Sequence, residues 1–334
     1  MDSVKLHGKA VVVDTHCDTL KCLLPEFTRP RDSMWGDRSD VGMCARSNLG
    51  HVDAPRLQEG GVDCQVFAVS SERSRTPRHP LRTALIMIDR FYRECEACNI
   101  LTPVTSSGEI LEAKRVGKVA GLLSIEGADV IEGRIEMLGV YHHMGVRMVG
   151  LVHSLRNQLA DGVTDRRTGG GLSELGVQAV KELDRLRMII DVSHTNDEGF
   201  WDVLDHTENP VIASHSNCRK LCDHPRNMTD EMILALAENG GVMGMNFAPG
   251  FVHPRKATLQ RVVDHMDHIV DLVGPDHVGL GSDFDGIPSA PAGLEDVTRM
   301  PGITRELVER EYSEADIKKI LGGNHLRLMK DVIG

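Results

Sequence analysis

Short apolar runs alternate along the chain with longer segments in which apolar residues recur every three or four positions. The short runs have the length and composition of buried β-strands, while the longer segments are typical of helices with one buried face. The eight predicted strands cover residues 10–14, 63–69, 119–124, 146–152, 187–193, 210–214, 240–246 and 277–282. Strands that alternate with helices form parallel sheets, and eight of them are the number that closes a (β/α)8 barrel. The pattern therefore predicts an α/β fold of the TIM-barrel type.

The helical periodicity is clearest between these strands, at residues 81–98, 131–144, 173–186, 197–206, 229–239 and 258–273. Residues 28–48 are rich in Arg, Asp, Ser and Gly, which predicts a long loop over the mouth of the barrel. A capping-box-like start at Ser313 predicts a closing helix over about 313–329. No linker divides the chain, and we expect residues 1–334 to form one barrel domain.

The composition limits the partners that we expect. Lys and Arg number 38 against 49 Asp and Glu, and the resulting net charge of −11 disfavours nucleic-acid binding. No apolar run approaches the roughly 20 residues that cross a bilayer, so we expect no membrane span. Residues 1–8 lack the pattern of a secretion signal, which predicts a cytoplasmic protein. In that compartment we expect the eight cysteines, including the single CxxC at Cys95 and Cys98, to be free thiols.

Residues able to bind a metal ion follow the ends of four predicted strands. His16 and Asp18 follow the first strand, Glu126 follows the third, and His194 and His215 follow the fifth and sixth. Taken alone, each is more often structural or solvated. Because the carboxyl ends of barrel strands share one mouth, a closed barrel would bring all five together. Three imidazoles and two carboxylates suit a borderline divalent cation such as zinc.

The spacing of these residues suggests two metal positions. His16 and Asp18 are two residues apart, so an extended chain points both to the same side. The two oxygens of Glu126 could bridge two cations, and His194 and His215 could complete the second position. Two cations with a water between them generate a hydroxide at neutral pH and polarise a carbonyl, as hydrolysis of an amide or ester requires.

Three further residues fit roles in such a hydrolysis. Asp283 follows the eighth strand and could take a proton from the water and pass it to the leaving group. Asp285 competes for this role, but Gly286 suggests a turn, and we favour Asp283. His153 follows the fourth strand and could donate a hydrogen bond to an oxyanion, although a packed structural role is equally open. Arg226 offers a planar fork suited to a carboxylate, but surface arginines are common.

The chain resembles the renal or membrane dipeptidase family over about residues 10–330. The motifs that carry the resemblance, in order, are Asp14-Thr-His-Cys-Asp18, Ser124-Ile-Glu-Gly-Ala128, His153-Ser154 with Ala160-Asp161, Asp191-Val-Ser-His194, Ala213-Ser-His-Ser216, Arg226-Asn227 and Gly281-Ser-Asp-Phe-Asp-Gly286. These are zinc dipeptidases of the amidohydrolase superfamily, built on a barrel of this type. The resemblance implies a dipeptide substrate, two zinc ions per chain and a homodimer.

The resemblance also implies a role for each residue. His16 and Asp18 would hold one zinc ion, His194 and His215 the other, with Glu126 and a water or hydroxide as bridges. Further implied roles are proton transfer for Asp283, contact with the tetrahedral intermediate for His153, and binding of the dipeptide carboxylate for Arg226. Phe251 stands where some relatives offer a tyrosine hydroxyl to the substrate, which leaves the side-chain specificity open.

Mammalian family members are secreted, lipid-anchored and disulfide-linked, and the absence of these features favours a bacterial cytoplasmic relative. Whether the carboxyl-terminal residue of the substrate is D as well as L stays open. A lactonase or an N-acyl-amino-acid amidase of the same superfamily would use the same metals on another electrophile. A non-catalytic metal-binding barrel is a further alternative, which Asp283 and His153 disfavour because metal binding alone needs neither.

Overall fold

The fold is taken from a computed structural model, which describes residues 1–24, 38, 40–70 and 79–334. Nine strands lie in these ranges: Val13–Cys17 (β1), Cys64–Ser70 (β2), Leu101–Pro103 (β3), Val119–Glu126 (β4), Val146–Gly150 (β5), Ile189–Asp191 (β6), Ile212–Ser216 (β7), Val242–Met245 (β8) and Val278–Leu280 (β9). All pairings between them are parallel. Because β1 pairs with both β2 and β9, and β2 pairs with β4, eight of the strands close into a barrel. The predicted (β/α)8 barrel is confirmed.

The extra strand, β3, was not predicted from the sequence. It pairs with residues 119–121 of β4, on the edge that β5 occupies further along at residues 123–126. Its three residues are too few to show a periodicity, and Pro103 suits only the edge of a sheet. β3 therefore lies outside the closed ring.

The helices pack around the barrel and at its ends. They are Ser3–Lys9 (α1), Thr19–Cys22 (α2), Ala54–Glu59 (α3), Pro80–Ala97 (α4), Ser107–Arg115 (α5), Glu136–His143 (α6), Glu174–Leu186 (α7), Asp197–His206 (α8), Asp230–Glu238 (α9), Pro249–Val252 (α10), Leu259–Val273 (α11), Pro301–Glu309 (α12), Glu314–Lys318 (α13) and Asn324–Ile333 (α14). All six predicted helical segments contain a helix. Four of these helices begin at a capping side chain that accepts a backbone N–H, on Ser173, Asn196, Thr229 and Thr258.

The predicted closing helix is interrupted. Ser313 caps α13 as expected, but a π-helical turn over residues 319–323 separates α13 from α14, which ends at Ile333. The turn brings Gly322 so close to the start of β1 that a Cβ atom there would lie 2.4 Å from the Val11 carbonyl oxygen. Beyond it, the apolar side chains of α14 pack against inward-facing residues of the strands and close the amino-terminal end of the barrel.

About half of the loop predicted over residues 28–48 lies outside the described residues, since positions 28–37 and 39 are not among them. The stretch that follows is held at the carboxyl end of β9. His51 N donates to Asp285 Oδ1 over 2.5 Å, and Asp285 N donates to His51 Nδ1 over 2.9 Å. All eight cysteines are free thiols. Within the described ranges, every helix is too short or too polar to span a membrane.

Candidate metal centre

The five predicted metal ligands lie together at the carboxyl end of the barrel, and all are buried. The strands reach further than the apolar runs suggested, so His16, Glu126 and His215 lie within β1, β4 and β7 rather than after them. His194 follows β6 by three residues, and Asp18 follows β1 directly. The convergence expected from the barrel is thus present in the structure.

Glu126 is the centre of this arrangement. Its Oε1 atom lies 3.1 Å from His194 Nε2, 3.5 Å from both His16 Nε2 and His215 Nε2, and 3.7 Å from His153 Nε2. One carboxylate oxygen therefore faces four imidazole nitrogens from four different strands or strand ends. Such a density of electron-pair donors in a buried space is typical of a metal site.

The donor atoms fall into overlapping groups, each within 4.8 Å: His16, Glu126 and His215; Glu126, His153 and His194; and His16, Asp18 and Asp283. The Nε2 atom of His16 is buried and has no hydrogen-bond partner among the described residues. It lies 3.9 Å from Asp18 Oδ2 and 4.0 Å from Asp283 Oδ1. The nitrogen and oxygen donors fit zinc, and their spread over three overlapping groups fits more than one cation.

Two of the imidazoles are oriented by hydroxyl groups behind them. Ser214 Oγ donates to Asp191 Oδ2 over 2.5 Å and lies 2.7 Å from His215 Nδ1. Ser154 Oγ lies 3.0 Å from His194 Nδ1. When Nδ1 donates to the hydroxyl oxygen, the lone pair of Nε2 points into the site, as metal binding requires. Asp191 and the two serines belong to the quoted motifs, but the sequence did not assign them this role.

The backbone at two site residues has a conformation that non-glycine residues rarely adopt. His194 has a φ of 69° and Asp283 a φ of 61°. Left-handed conformations of this kind cost about 1–3 kcal/mol and are concentrated at functional sites. Gly286 adds a close approach, because a Cβ atom there would lie 2.3 Å from both Asp18 Oδ2 and Asp283 Oδ1. The turn after β9 is therefore shaped to bring Asp283 against the ligands.

The charges of the site shift the pKa values of its residues in opposite directions. Burial would lower the pKa of His16, but the carboxylates of Glu126, Asp18 and Asp283 outweigh burial and raise it to about 9. Burial raises the pKa of Asp283 to about 7 against the opposing charge of His16. Burial also lowers the pKa of His194 and of His215 well below the usual range. The last two are therefore neutral imidazoles, the form that binds metal.

Asp285 has a different environment from Asp283, although only one residue separates them. Asp285 is buried beside Arg38, with 3.8 Å between its Oδ2 atom and Arg38 Nη1, and it accepts hydrogen bonds from Thr19 Oγ1 and His51 N. Its carboxylate thus anchors the chain around the site. Asp283 instead faces the ligands, with Asn246 Nδ2 donating to its Oδ2 atom over 3.0 Å.

Arg226 lies at the edge of the same site and is buried. Its Nη2 atom donates to the His215 carbonyl oxygen over 3.1 Å, while its Nε atom has no hydrogen-bond partner among the described residues. The Phe251 ring lies 5.6 Å from the guanidinium carbon, and His224 packs on that ring with 4.4 Å between centroids. Arg226 is therefore a buried cation that lies beside aromatic rings and still has an N–H donor available to a ligand.

Lys21 is a site residue that sequence reasoning missed. It lies on α2, and its Nζ atom is 2.6 Å from Asp18 Oδ1 and 3.5 Å from Glu126 Oε2. Its spacing of three residues from Asp18 matches one helical turn, but the sequence pattern did not indicate a helix directly after the first strand. Asn246 was also missed, because its contact with Asp283 joins residues 37 positions apart.

Comparison with known proteins gives one consistent family. A model of the membrane dipeptidase family, peptidase family M19, matches residues 2–333. The dipeptidase aclJ of Aspergillus oryzae is 36% identical over 296 residues, which covers 85% of this chain and 70% of that protein. The dipeptidase verJ of Clonostachys rogersoniana is 32% identical over 342 aligned positions, which cover 99% of this chain and 86% of that protein.

Two solved structures of similar proteins share the fold over nearly the whole chain. A metallo peptidase from Rhodobacter sphaeroides, liganded with a phosphinate mimic of the dipeptide L-Ala-D-Ala, has a TM-score of 0.86 at 27% identity and covers 97% of this chain and 99% of its own. The dipeptidase AC, a metallo peptidase, has a TM-score of 0.86 at 28% identity with the same coverage.

Proposed function

This chain belongs to the membrane dipeptidase family of metallopeptidases, and from that premise we propose that it hydrolyses dipeptides at a centre of two zinc ions. The family indicated by the sequence motifs is confirmed, and it makes the protein a dipeptidase with a metal-binding site. The observation that supports the finer proposal is the position of Glu126, whose one oxygen faces the imidazoles of both predicted metal positions.

We assign His16, Asp18 and Glu126 to one zinc ion, and Glu126, His194 and His215 to the other. When bound, the two ions would polarise the scissile carbonyl and lower the pKa of the attacking water. The neutral imidazoles of His194 and His215 suit this role because their Nε2 lone pairs point into the site. The buried setting strengthens every charge interaction there.

Proton transfer falls to Asp283. Its carboxylate lies 4.0 Å from His16 Nε2 and is fixed by Asn246, so it borders the space in which the attacking water would lie. A pKa near neutrality allows one carboxylate both to accept the proton of the attacking water and to donate it to the leaving amine. Asp285 is unsuited to this role because it is fully engaged with Thr19, His51 and Arg38.

Substrate positioning is assigned to His153 and Arg226. The side chain of His153 is 17% exposed and borders Glu126, where Nε2 can donate a hydrogen bond to the oxyanion of the tetrahedral intermediate. Arg226 is a buried guanidinium with unused donor capacity, suited to the terminal carboxylate of a dipeptide. His153 would hold the oxyanion and Arg226 the terminal carboxylate, so the scissile bond between them would be fixed in position.

We extend the proposal to dipeptides whose carboxyl-terminal residue is D. The related structure from Rhodobacter sphaeroides holds a mimic of L-Ala-D-Ala, and this chain is similar to it over 97% of its length. A panel of dipeptides with L or D carboxyl-terminal residues, assayed alongside the zinc content of the protein, tests both parts of the proposal. Hydrolysis of lactones or N-acyl amino acids in preference to all dipeptides would favour the alternative hydrolases instead.

We also propose that the protein is a cytoplasmic homodimer, since members of the family to which it belongs are often homodimers. Light scattering of the purified protein measures its mass in solution. Cell fractionation measures its location. Neither property enters the chemistry proposed above.

A further inference from the structure

Lys21 brings a positive charge into the group of predicted metal ligands. It follows Asp18 by one helical turn, and its ammonium contacts Asp18 Oδ1 over 2.6 Å and Glu126 Oε2 over 3.5 Å. Only 16% of the lysine side chain is exposed, and the two carboxylates are nearly fully buried. Ion pairs at such depth are weakly screened by solvent.

The two contacts involve the carboxylates that would bind the zinc ion of the His16–Asp18 position, and Glu126 would also bind the other ion. Asp18 lies between β1 and α2, and Glu126 is the last residue of β4, yet both direct an oxygen at one ammonium. A cation placed between two buried carboxylates neutralises them, which is the same electrostatic role that a divalent ion would have there. The ammonium and a metal ion would repel each other if both stayed at this position.

The imidazoles of His194 and His215 have no such contact. They face Glu126 Oε1, whereas Lys21 contacts the other oxygen, Oε2. Among the described residues, the only carboxylate paired with either imidazole is Glu126, and no lysine contacts them. Arg226 is close, but its hydrogen bond goes to the His215 carbonyl oxygen and not to a ligand atom. The two predicted metal positions are therefore electrostatically unequal.

We propose that Lys21 is a built-in counter-cation that competes with metal at the His16–Asp18 position. The His194–His215 position then fills first, and the His16–Asp18 position fills at higher metal concentration, as Lys21 gives up its contacts with Asp18 and Glu126. The occupancy of the second position, and with it the fraction of active enzyme, becomes sensitive to the available zinc. This inference rests on the proposed two-zinc centre and deepens it.

Zinc titration of the chelator-treated full-length protein tests the inference without using activity as the readout. A calorimetric or chelator-competition titration with Zn²⁺ should show two steps in the wild type, the second weaker by about tenfold or more, within the range of coupling between sites. In Lys21→Met the second step should tighten by about tenfold while the first changes little. Lys21→Gln, which keeps a polar group of similar reach, should act in the same direction.

Lys5→Met is the matched control, because Lys5 is 80% exposed and pairs only with Asp2 within the described residues. It removes the same charge and should leave both steps unchanged. An unchanged or weakened second step in both Lys21 variants, with folding intact by circular dichroism, would overturn the inference and make Lys21 a positioning residue for Asp18. A wild type that binds two zinc ions equally also overturns it, yet leaves the proposed function standing. Failure to bind any zinc would overturn both.

Discussion

The Nε2 atoms of His194 and His215 lie 2.9 Å apart, and both face Glu126 Oε1. Burial lowers the pKa of both imidazoles well below the usual range, so both are neutral near pH 7. Where each Nδ1 donates to its serine hydroxyl, both Nε2 atoms carry lone pairs, and two lone pairs at this distance repel unless a cation lies between or beside them. A metal ion shared by the two nitrogens, as in the proposed centre, would remove this repulsion.

Removing the hydroxyl behind His215 should weaken zinc binding. Ser214→Ala breaks the chain of hydrogen bonds from Asp191 to His215 Nδ1, which orients the ring. We expect a loss of about 10-fold to 100-fold in zinc affinity, measured by competition with a chromophoric chelator. Ser216→Ala removes another buried hydroxyl from the same strand and serves as the control. Equal effects of the two substitutions on zinc affinity would mean that the hydrogen bonds of Ser214 do not orient His215.

Replacing the proposed proton carrier should affect turnover and not metal binding. Asp283→Asn keeps the shape of the side chain but cannot exchange a proton, so we expect kcat for dipeptides to fall by about 10²-fold to 10⁴-fold. The zinc content of the purified variant should stay near that of the wild type, because Asp283 is not assigned as a ligand. Wild-type kcat in this variant would assign proton transfer to another group.

Asp285, two residues from Asp283, should affect the stability of the fold and not turnover. Burial would raise the pKa of Asp285, but hydrogen bonds from His51 and the charge of Arg38 outweigh it and lower the pKa to about 2. A depressed carboxyl pKa stabilises the fold above the unfolded value of about 3.9, and this stabilisation is lost as pH falls towards 2. Asp285→Asn should therefore cost about 2–3 kcal/mol at pH 7 in urea unfolding.

The pH dependence separates this effect from simple loss of packing. The difference in unfolding free energy between wild type and Asp285→Asn should shrink as pH falls from about 4 to about 2. Asp283→Asn, at a comparable position in the chain, is the control for a change in the same turn. A difference that stays constant over this pH range would show that the charge of Asp285 contributes nothing.

Substitution of Arg226 should weaken the binding of substrates that carry a terminal carboxylate and leave the hydrolysis of other substrates unchanged. Arg226→Met removes charge-assisted hydrogen bonds worth about 1.5–3 kcal/mol, so KM for dipeptides should rise by about 10-fold to 150-fold. The corresponding dipeptide amides lack the carboxylate and should be hydrolysed by the variant and the wild type at similar rates. If the substitution impairs the hydrolysis of the amides as much as that of the dipeptides, Arg226 has a structural role in the site and does not bind the substrate carboxylate.

The sequence predicted the barrel and the gathering of the site because both depend on repeated local patterns. Apolar runs spaced by helices give the closed parallel sheet, and a closed sheet brings residues at strand ends to one mouth. The strand limits were less accurate, since His16 and Glu126 are polar residues that the sheet nevertheless includes. Polarity ends an apolar run, whereas backbone pairing does not depend on it.

The contacts that the sequence did not predict are those between residues that only the folded barrel brings together. Asn246 reaches Asp283 across 37 residues, and Asp191 reaches Ser214 across 23. Neither spacing carries a periodic signal, and only strand order in the barrel makes these pairs neighbours. Lys21 is close to Asp18 in sequence, but its second contact, with Glu126, depends on β1 and β4 both delivering side chains to the same mouth.

The proposed two-zinc centre is tested most directly by zinc stoichiometry measured together with dipeptide hydrolysis, before and after treatment with a chelator. We expect the chelated protein to stay folded but no longer to cleave dipeptides, and we expect activity to return as zinc is restored to two ions per chain. Full turnover in chelated protein that holds no stoichiometric metal would contradict the proposal.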